Sequence, residues 1–248
     1  MTGAASLSWA AAWHDVECSS YGADLGLWAE LAAEARGPVL DIGAGTGRVA
    51  LHLAAHGHEV TAIDADSELV LSCAQHAHDR RLPVRALAAD ARSFELGARF
   101  ALALLAMQVA QLLGGPRGRA AMLRCVLDHL DPGGVLAVAL ADPLEGMPVE
   151  EVLPPLPDLL ERDGWVLSST PIRVRDEDGA VAIDRLRQAV SPEGELTEQA
   201  VTIALDPVTP EEMQDEAERA GFLVLPSRRI GATREHVGST VVLCEKPA

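Results

Sequence analysis

Three alternate glycines stand between a short apolar run and a helical segment, in the sequence DIGAGTG at residues 41–47. The run 39–42 predicts a buried strand, and the residues from about Gly47 to Ala55 predict a helix. Glycine allows a tight turn and lets a ligand approach the backbone closely. A strand, a glycine loop and a helix in this order predict a β-α-β protein with a ligand at the carboxyl ends of its strands.

Strands and helices are expected to alternate around this loop. A helix over 23–35 precedes it, strands are predicted at 59–63, 84–88, 100–106 and 134–140, and helices at 67–78 and 117–130. Such alternation is typical of a parallel sheet with helices on both faces. After a proline-rich irregular connector, three strands at 165–174, 180–190 and 198–205 predict an inserted antiparallel meander. A helix ending at Ala220 and two strands, 222–230 and 238–245, are expected to complete the sheet.

The spacing of the glycines excludes two common nucleotide-binding loops. The dinucleotide fingerprint G-x-G-x-x-G would place its third glycine where this chain has Arg48. No Gly-Lys-Ser/Thr follows the loop, so it is not a Walker loop. Instead, Asp41 before the three glycines places a carboxylate where it suits an amino group better than a pyrophosphate.

Composition narrows the class of partner. The chain has 248 residues and a net charge of −17, which repels phosphate backbones and anionic lipid, so we expect no nucleic acid and no membrane partner. No apolar stretch approaches the roughly 18 residues of a membrane span. The start of the chain has no basic segment of a signal peptide, so we expect a cytoplasmic protein. A small-molecule partner is favoured.

Lysine, cysteine and histidine patterns exclude further chemistry. The only lysine is Lys246, near the end of the chain, which leaves lysine-based covalent catalysis without a well-placed candidate. The four cysteines stand far apart and suit reduced thiols. His52 and His56 share a helix face, but no carboxylate stands at ligand spacing, so we expect a solvated face and no metal site.

Four segments together resemble the class I S-adenosylmethionine (SAM) dependent methyltransferases. VLDIGAGTGR, at 39–48, resembles their first motif, and Asp64 stands where the family has an acid that accepts both ribose hydroxyls. The segment 89–91 resembles their adenine-binding segment. LDPGG, at 130–134, resembles the L-x-P-G-G before their fifth strand. The resemblance covers roughly residues 20–142 and also implies the final strand pair.

The resemblance implies an α/β fold, a seven-stranded Rossmann-like methyltransferase sheet whose last strand is antiparallel, with the β meander inserted into it. We divide the chain into an N-terminal helical lid (1–36), a SAM-binding core (37–142), the meander or substrate cover (143–206), and a C-terminal helix with the final two strands (207–248). The meander either covers the substrate or pairs its edge with a second copy of the chain. We expect the cover, and a homodimer is compatible with it.

The family resemblance implies the residues that bind SAM. They lie in the glycine loop and at the ends of the next strands: Asp41, Gly43, Ala44, Gly45, Thr46, Gly47, Asp64, Ala65, Ala89, Asp90, Ala91 and Met107. For Asp90, capping of the segment after it is the alternative role.

Substrate-side candidates come from the strand ends, the lid and the loop before the last strand: Tyr21, Gln108, Gln111, Asp142 and Arg234. Methyl transfer requires alignment, exclusion of water and often removal of one proton. His236 and His14 are the candidate bases, with a surface or capping role as the alternative for each. Tyr21 could instead pack or contact the SAM carboxylate, and Gln108 could instead bond to the loop backbone.

We therefore expect an enzyme that transfers the methyl group of SAM to a nitrogen or oxygen of a small molecule, with carbon and sulfur acceptors left open. The alternative is a SAM-binding, catalytically degenerate protein with a regulatory or structural role, which a missing acceptor cavity would indicate. A methyltransferase acting on RNA or protein would need a basic groove or a peptide channel. After the fourth strand the chain has MQVAQ rather than an Asn-Pro-Pro-Tyr-like motif.

Overall fold

The computed structural model describes residues 8–141, 156–177, 179–233 and 236–248. Its helices are α1 (Trp9–Cys18), α2 (Leu25–Ala35), α3 (Arg48–Ala55), α4 (Ser67–Arg80), α5 (Gly115–His129) and α6 (Pro210–Ala220), with a 3-10 turn at Val109–Leu112. Its strands are β1 (Val39–Ile42), β2 (Val60–Asp64), β3 (Val84–Ala88), β4 (Phe100–Leu105), β5 (Leu130–Ala141), β6 (Asp158–Arg162), β7 (Trp165–Glu177), β8 (Ala180–Val190), β9 (Leu196–Leu205), β10 (Leu223–Ile230) and β11 (Ser239–Glu245). No helix among these residues is long and apolar enough to cross a membrane.

Seven strands form the main sheet in the order β10-β11-β5-β4-β1-β2-β3. The strands from β1 to β5 are parallel, whereas β11 runs antiparallel to both β5 and β10. The predicted sheet with an antiparallel last strand is thus confirmed. Because Ser239 pairs with Ala141, the loop entering β11 starts at the edge where the parallel strands end.

The central strands are buried on both faces. In β4, Leu102 and Leu104 face the layer of α2 and α3, while Ala103 and Leu105 face the layer of α5 and α6. Alternate strand residues point to opposite faces, so a parallel strand covered on both sides is apolar throughout. Full burial of one such leucine contributes about 1.5 to 3 kcal/mol. This packing holds the strand ends, and the loops attached to them, in fixed positions.

The inserted sheet has four antiparallel strands, in the order β6-β7-β8-β9, and not the three that we predicted. The missed strand, β6, falls where the prolines predicted an irregular connector. The sequence signal for this strand is the dipeptide Asp163-Gly164, which joins β6 to β7 with two positive φ angles, 52° and 82°. Asp-Gly with both φ angles positive is the favoured two-residue hairpin turn. The antiparallel meander itself is confirmed.

Helices α5 and α6 are joined by a buried ion pair. The Nε and Nη2 atoms of Arg119 donate to the two carboxylate oxygens of Glu216, each at 2.8 Å. The Arg119 side chain is 3% exposed, and an Asp206 oxygen lies 3.8 Å from Nη1. Removing one partner of a buried pair leaves an uncompensated charge.

We predict that Glu216→Ala lowers the free energy of unfolding by about 3 kcal/mol, because the Arg119 guanidinium keeps only the more distant Asp206. Urea unfolding measures this change. The matched control is Glu218→Ala, an exposed acid on the same helix, which should change stability by no more than about 0.5 kcal/mol. Equal effects of the two substitutions would contradict the structural role of this pair.

Candidate cofactor and acceptor site

The three glycines of the loop all adopt left-handed backbone angles, with φ of 70° at Gly43, 57° at Gly45 and 95° at Gly47. Side chains are rarely tolerated in this region, so glycine is required there. A Cβ on Gly43 would also lie 2.6 Å from the Val109 methyl groups, and one on Gly47 would lie 2.6 Å from the Cys73 sulfur. The loop therefore passes against its neighbours where no side chain fits.

Asp64 ties the glycine loop to the end of β2. Its Oδ2 accepts the backbone N–H of Gly45 at 2.9 Å, and its Oδ1 accepts that of Asp66 at 2.9 Å. Its carbonyl accepts the N–H of Ala89 at 2.9 Å, which brings the end of β3 to the same place. Each carboxylate oxygen keeps a further lone pair. The fixed carboxylate is therefore able to accept hydroxyl groups of a ligand.

Asp41 is a buried acid behind the loop. Its side chain is 1% exposed, and its Oδ2 has no hydrogen-bond partner among the described residues. Burial raises the pKa of Asp41 to about 7, against the opposing effect of the Arg48 charge. A buried polar atom without a partner is costly unless a ligand supplies one. A cationic amino group is the partner that this oxygen suits.

Helix α1 brings His14 onto the glycine loop. The Nδ1 of His14 lies 3.1 Å from the Thr46 hydroxyl, and a Cβ on Gly45 would lie 2.1 Å from its Nε2. Burial lowers the pKa of His14, although Asp15 and Asp64 oppose this effect. The imidazole is therefore neutral at pH 7 and stands on the cofactor side of the site.

A second histidine reaches the same loop, a contact that the sequence analysis did not predict. The Nδ1 of His76, in α4, lies 3.2 Å from the Thr46 carbonyl oxygen. A histidine facing back toward a preceding loop has no distinct spacing in the sequence. The contact therefore becomes visible only in the fold.

Tyr21 and His236 meet at the edge of the sheet beside this loop. Their ring centroids are 4.8 Å apart, with the planes inclined at 42°. Tyr21 is 6% exposed, and burial raises its pKa, while the nearby Ser239 side chain opposes the rise. The backbone N–H of His236 donates to the Thr233 hydroxyl at 2.9 Å. Two candidates from opposite ends of the chain thus come together.

The turn after β4 holds the other strand-end candidates. Met107 has a φ of 54°, an angle that is uncommon for a residue with a side chain and that is often found at functional sites. Gln108 is partly exposed next to it. Gln111, however, is 3% exposed, and its amide bonds to both the N–H and the carbonyl of Ala141, at 3.2 and 3.0 Å. Gln111 thus braces the end of β5, whereas we expected it to be a substrate-pocket residue.

The remaining candidates have simpler surroundings. The Asp90 carboxylate accepts the N–H of Arg92 at 2.8 Å and pairs with its guanidinium, so the alternative capping contact is present. Ala65 is exposed, whereas Ala89 and Ala91 are partly buried beside Asp90. Asp142 and Arg234 lie outside the described residues.

A network of ion pairs that sequence analysis missed joins α1 to the meander. Glu17 accepts two N–H groups of Arg187, at 2.8 and 2.9 Å, and the Ser169 hydroxyl at 2.7 Å. Asp15 accepts Arg162 at 2.6 Å. Alternate arginines on β8 point to one sheet face, which was the available signal. The meander therefore packs against α1.

The same network extends to the loop that carries His236. Arg185 donates from Nε to the Ser169 hydroxyl at 2.8 Å and from Nη2 to the Asp158 carboxylate. Burial raises the pKa of Asp158, and the neighbouring charges of Arg185 and His236 oppose this rise. Asp158 therefore lies within electrostatic range of His236, at the junction of lid, meander and final hairpin.

These residues fit SAM. The ligand has an amino group for the unpartnered Asp41 oxygen and ribose hydroxyls for the free lone pairs of Asp64, and the glycine loop admits close backbone contact. Two surface hollows at the opposite edge, one around Gly133 and one around Pro83, contain none of these groups. Ligands of open α/β sheets bind at the carboxyl ends of the strands, which is the edge of the glycine loop.

Several solved structures share this fold. Streptomyces venezuelae DesVI matches with a TM-score of 0.72 at 18% identity, over 96% of each chain. CalS10 from Micromonospora echinaspora, an amino pentose methyltransferase solved with SAM bound, matches with 0.68 at 20% identity, over 99% of this chain and 100% of that one. The sugar N-methyltransferase KedS8 from a Streptoalloteichus species matches with 0.72 at 17% identity, over 100% of this chain and 96% of that one.

Sequence comparison matches the core of the chain to a known domain family. No curated protein sequence matches the chain significantly. A family described as "Methyltransferase domain" matches residues 39–134, which run from the start of β1 through the glycine loop into β5. This range contains the glycine loop, Asp41, Asp64 and the turn after β4. Residues 39–134 are therefore similar to a methyltransferase domain, and the glycine loop, Asp41 and Asp64 within them fit SAM as the cofactor.

Proposed function

We propose that this chain transfers the methyl group of SAM to a nitrogen of a small molecule, with an oxygen acceptor as the second choice. The observation that carries the proposal is that the glycine loop with Asp41 and the Tyr21–His236 pair lie at one edge of the sheet. CalS10 is described as an amino pentose methyltransferase, KedS8 as a sugar N-methyltransferase and MtfA as a glycopeptide N-methyltransferase. These descriptions support an amino group on a sugar-like molecule as the methyl acceptor. An amino sugar is the acceptor to test first.

On the cofactor side, we assign the amino group of SAM to Asp41 and the ribose hydroxyls to Asp64. Bound SAM supplies a sulfonium whose methyl group is already activated for displacement. The chain must therefore orient the acceptor and exclude water. His14 and Thr46 belong to this side because they stand on the glycine loop.

On the acceptor side, we assign His236 as the proton acceptor. An ammonium group must lose a proton before its nitrogen becomes nucleophilic, and an imidazole nitrogen is able to accept that proton. The Asp158 carboxylate lies within electrostatic range of the ring. The Tyr21 ring packs against the imidazole and restricts its orientation.

We further propose a cytoplasmic homodimer with no nucleic acid partner. The net charge of −17 disfavours phosphate backbones. Strand β9 is an edge strand of ten residues without proline, and it pairs with β8 without a register shift. The edge strand β6 has five residues, and β10 pairs irregularly with β11. An extended, unprotected edge favours pairing with a second copy.

We predict that Asp64→Ala weakens SAM binding by about 2 to 4 kcal/mol, because the variant loses a charged acceptor for two hydroxyls. Calorimetric titration with SAM and with its demethylated product measures the loss. Asp79→Ala, an exposed acid on α4, is the control and should leave affinity unchanged. NAD binding tighter than SAM, or an unchanged dissociation constant, would contradict the assignment.

Asp41 gives a second prediction, from its pKa. Because its pKa of about 7 in the folded chain exceeds the ordinary value of about 3.9, the folded state binds the proton more tightly and stability rises as pH falls. Between pH 7 and pH 5 the wild type should gain roughly 2 kcal/mol of unfolding free energy relative to Asp41→Asn. SAM affinity should fall over the same interval in the wild type only. Parallel pH profiles for the two proteins would refute this.

His236 gives a third prediction. His236→Ala should reduce turnover by about 100-fold and leave SAM affinity nearly intact, because an acceptor-side base acts in the transition state. Steady-state rates, SAM affinity and the thermal midpoint are measured on each variant, with the exposed His78→Ala as control. A lower midpoint with an unchanged rate per folded molecule would leave His236 a structural role only. SAM binding without any transfer in the wild type would favour the degenerate alternative.

A further inference from the structure

Arg48 is the first residue of α3 and directly follows the glycine loop. It makes a bidentate pair with Asp24, from Nη1 to Oδ1 at 2.6 Å and from Nη2 to Oδ2 at 2.7 Å. The two side chains are 10% and 1% exposed. The Asp24 carboxylate also accepts the indole N–H of Trp28 at 2.9 Å. Arg48 thus connects the cofactor loop to the segment between α1 and α2.

The same guanidinium holds Tyr21 in two ways. Its Nη1 donates to the Tyr21 carbonyl oxygen at 2.9 Å, and its central carbon lies 5.2 Å from the centre of the Tyr21 ring. The Ser239 side chain lies near the phenol, where it opposes the rise of the Tyr21 pKa that burial causes. On its other side the ring packs against His236. Arg48 therefore determines where the Tyr21 ring lies.

We propose that Arg48 is a positioning residue, which fixes Tyr21, and through its ring His236, relative to the glycine loop. The inference rests on the proposed function in one respect, the role of His236 at the acceptor. The positioning role explains why a long cationic side chain stands where a dinucleotide-binding loop would have its third glycine. The cofactor loop and the residue that orients the acceptor side then belong to one continuous run, Gly43 to Arg48.

Lysine cannot replace this arginine. The planar guanidinium presents several N–H donors in a rigid fork, which serves the Asp24 carboxylate and the Tyr21 carbonyl together. An ammonium on a flexible stem keeps the charge but not this geometry. Displacement of a catalytic group by about 1 Å can reduce the rate about 100-fold. Arg48→Lys should therefore lower the rate even though it conserves the positive charge.

The competing explanation is that Arg48 and Asp24 only stabilise the fold. The chain offers a matched control in Arg119, which is also buried and bidentate, here with Glu216 between α5 and α6. Arg119→Lys should lower the thermal midpoint with no change in rate per folded molecule. A structural role for Arg48 would give the same result for Arg48→Lys.

The first experiment needs no enzymatic activity, because Tyr21 is the only tyrosine of the chain. Tyrosine labelled with carbon-13 in the ring gives NMR signals from this one residue. His236→Ala in the wild-type background should shift them, because it removes the imidazole ring that packs against Tyr21. In the Arg48→Lys background the shift should fall by at least half, whereas the Arg119→Lys background should retain it in full.

The second experiment measures rates with an amino sugar acceptor. Arg48→Lys should lower kcat at least 10-fold and change SAM affinity by less than 3-fold. Ser239→Ala removes the hydroxyl near the Tyr21 phenol without touching the ion pair, so it covers the case in which Arg48→Lys fails to fold. It should lower kcat and alter the Tyr21 signals. An unchanged Tyr21 signal and rate in Ser239→Ala, or in a folded Arg48→Lys, would overturn the proposal.

The two experiments separate two kinds of failure. If the wild type transfers no methyl group but the Tyr21 signals respond as expected, the proposed function is wrong and the positioning contact stands. If transfer occurs and Arg48→Lys matches Arg119→Lys in both measurements, the positioning role is wrong and the proposed function stands.

Discussion

The left-handed backbone of the glycine loop is the constraint on which the site depends. Three positive φ angles within five residues turn the chain from β1 into α3, and the Asp64 carboxylate accepts the N–H at the middle of that turn. Because the turn is tight, Asp41 stays buried behind it and Arg48 emerges at its far end. A side chain at any of the three glycines would displace a neighbour that belongs to the site or its support.

Paired arginines are the second organising element of this acidic chain. Arg48, Arg162 and Arg187 each pair with an acid of the N-terminal segment, namely Asp24, Asp15 and Glu17. Exposed ion pairs contribute little, but these are largely shielded from solvent, where geometry and additional hydrogen bonds matter more. Arg48 therefore holds the N-terminal segment against the core, while Arg162 and Arg187 hold it against the meander.

Features that have a local sequence pattern were predicted correctly. The glycine loop and the alternating elements each have a signal within a few residues, whereas the antiparallel last strand was expected from the family resemblance alone. Strand β6 was missed because prolines upstream outweighed the Asp163-Gly164 turn. The contacts of Arg187 with Glu17 and of Tyr21 with His236 join residues 170 and 215 positions apart, so they arise only when the fold brings them together. Likewise, no local pattern distinguished the buried, strand-bracing Gln111 from its partly exposed neighbour Gln108.

Helix α1 contacts both sides of the site from consecutive residues. His14 stands on the glycine loop, while Asp15 and Glu17 pair with the meander. The i and i+1 positions of a helix point about 100° apart, so one rigid helix faces the cofactor loop and the meander at the same time. A movement of α1 that released His14 from Thr46 would also strain its ion pairs with β6 and β8. The glycine loop and the meander are therefore mechanically connected through α1.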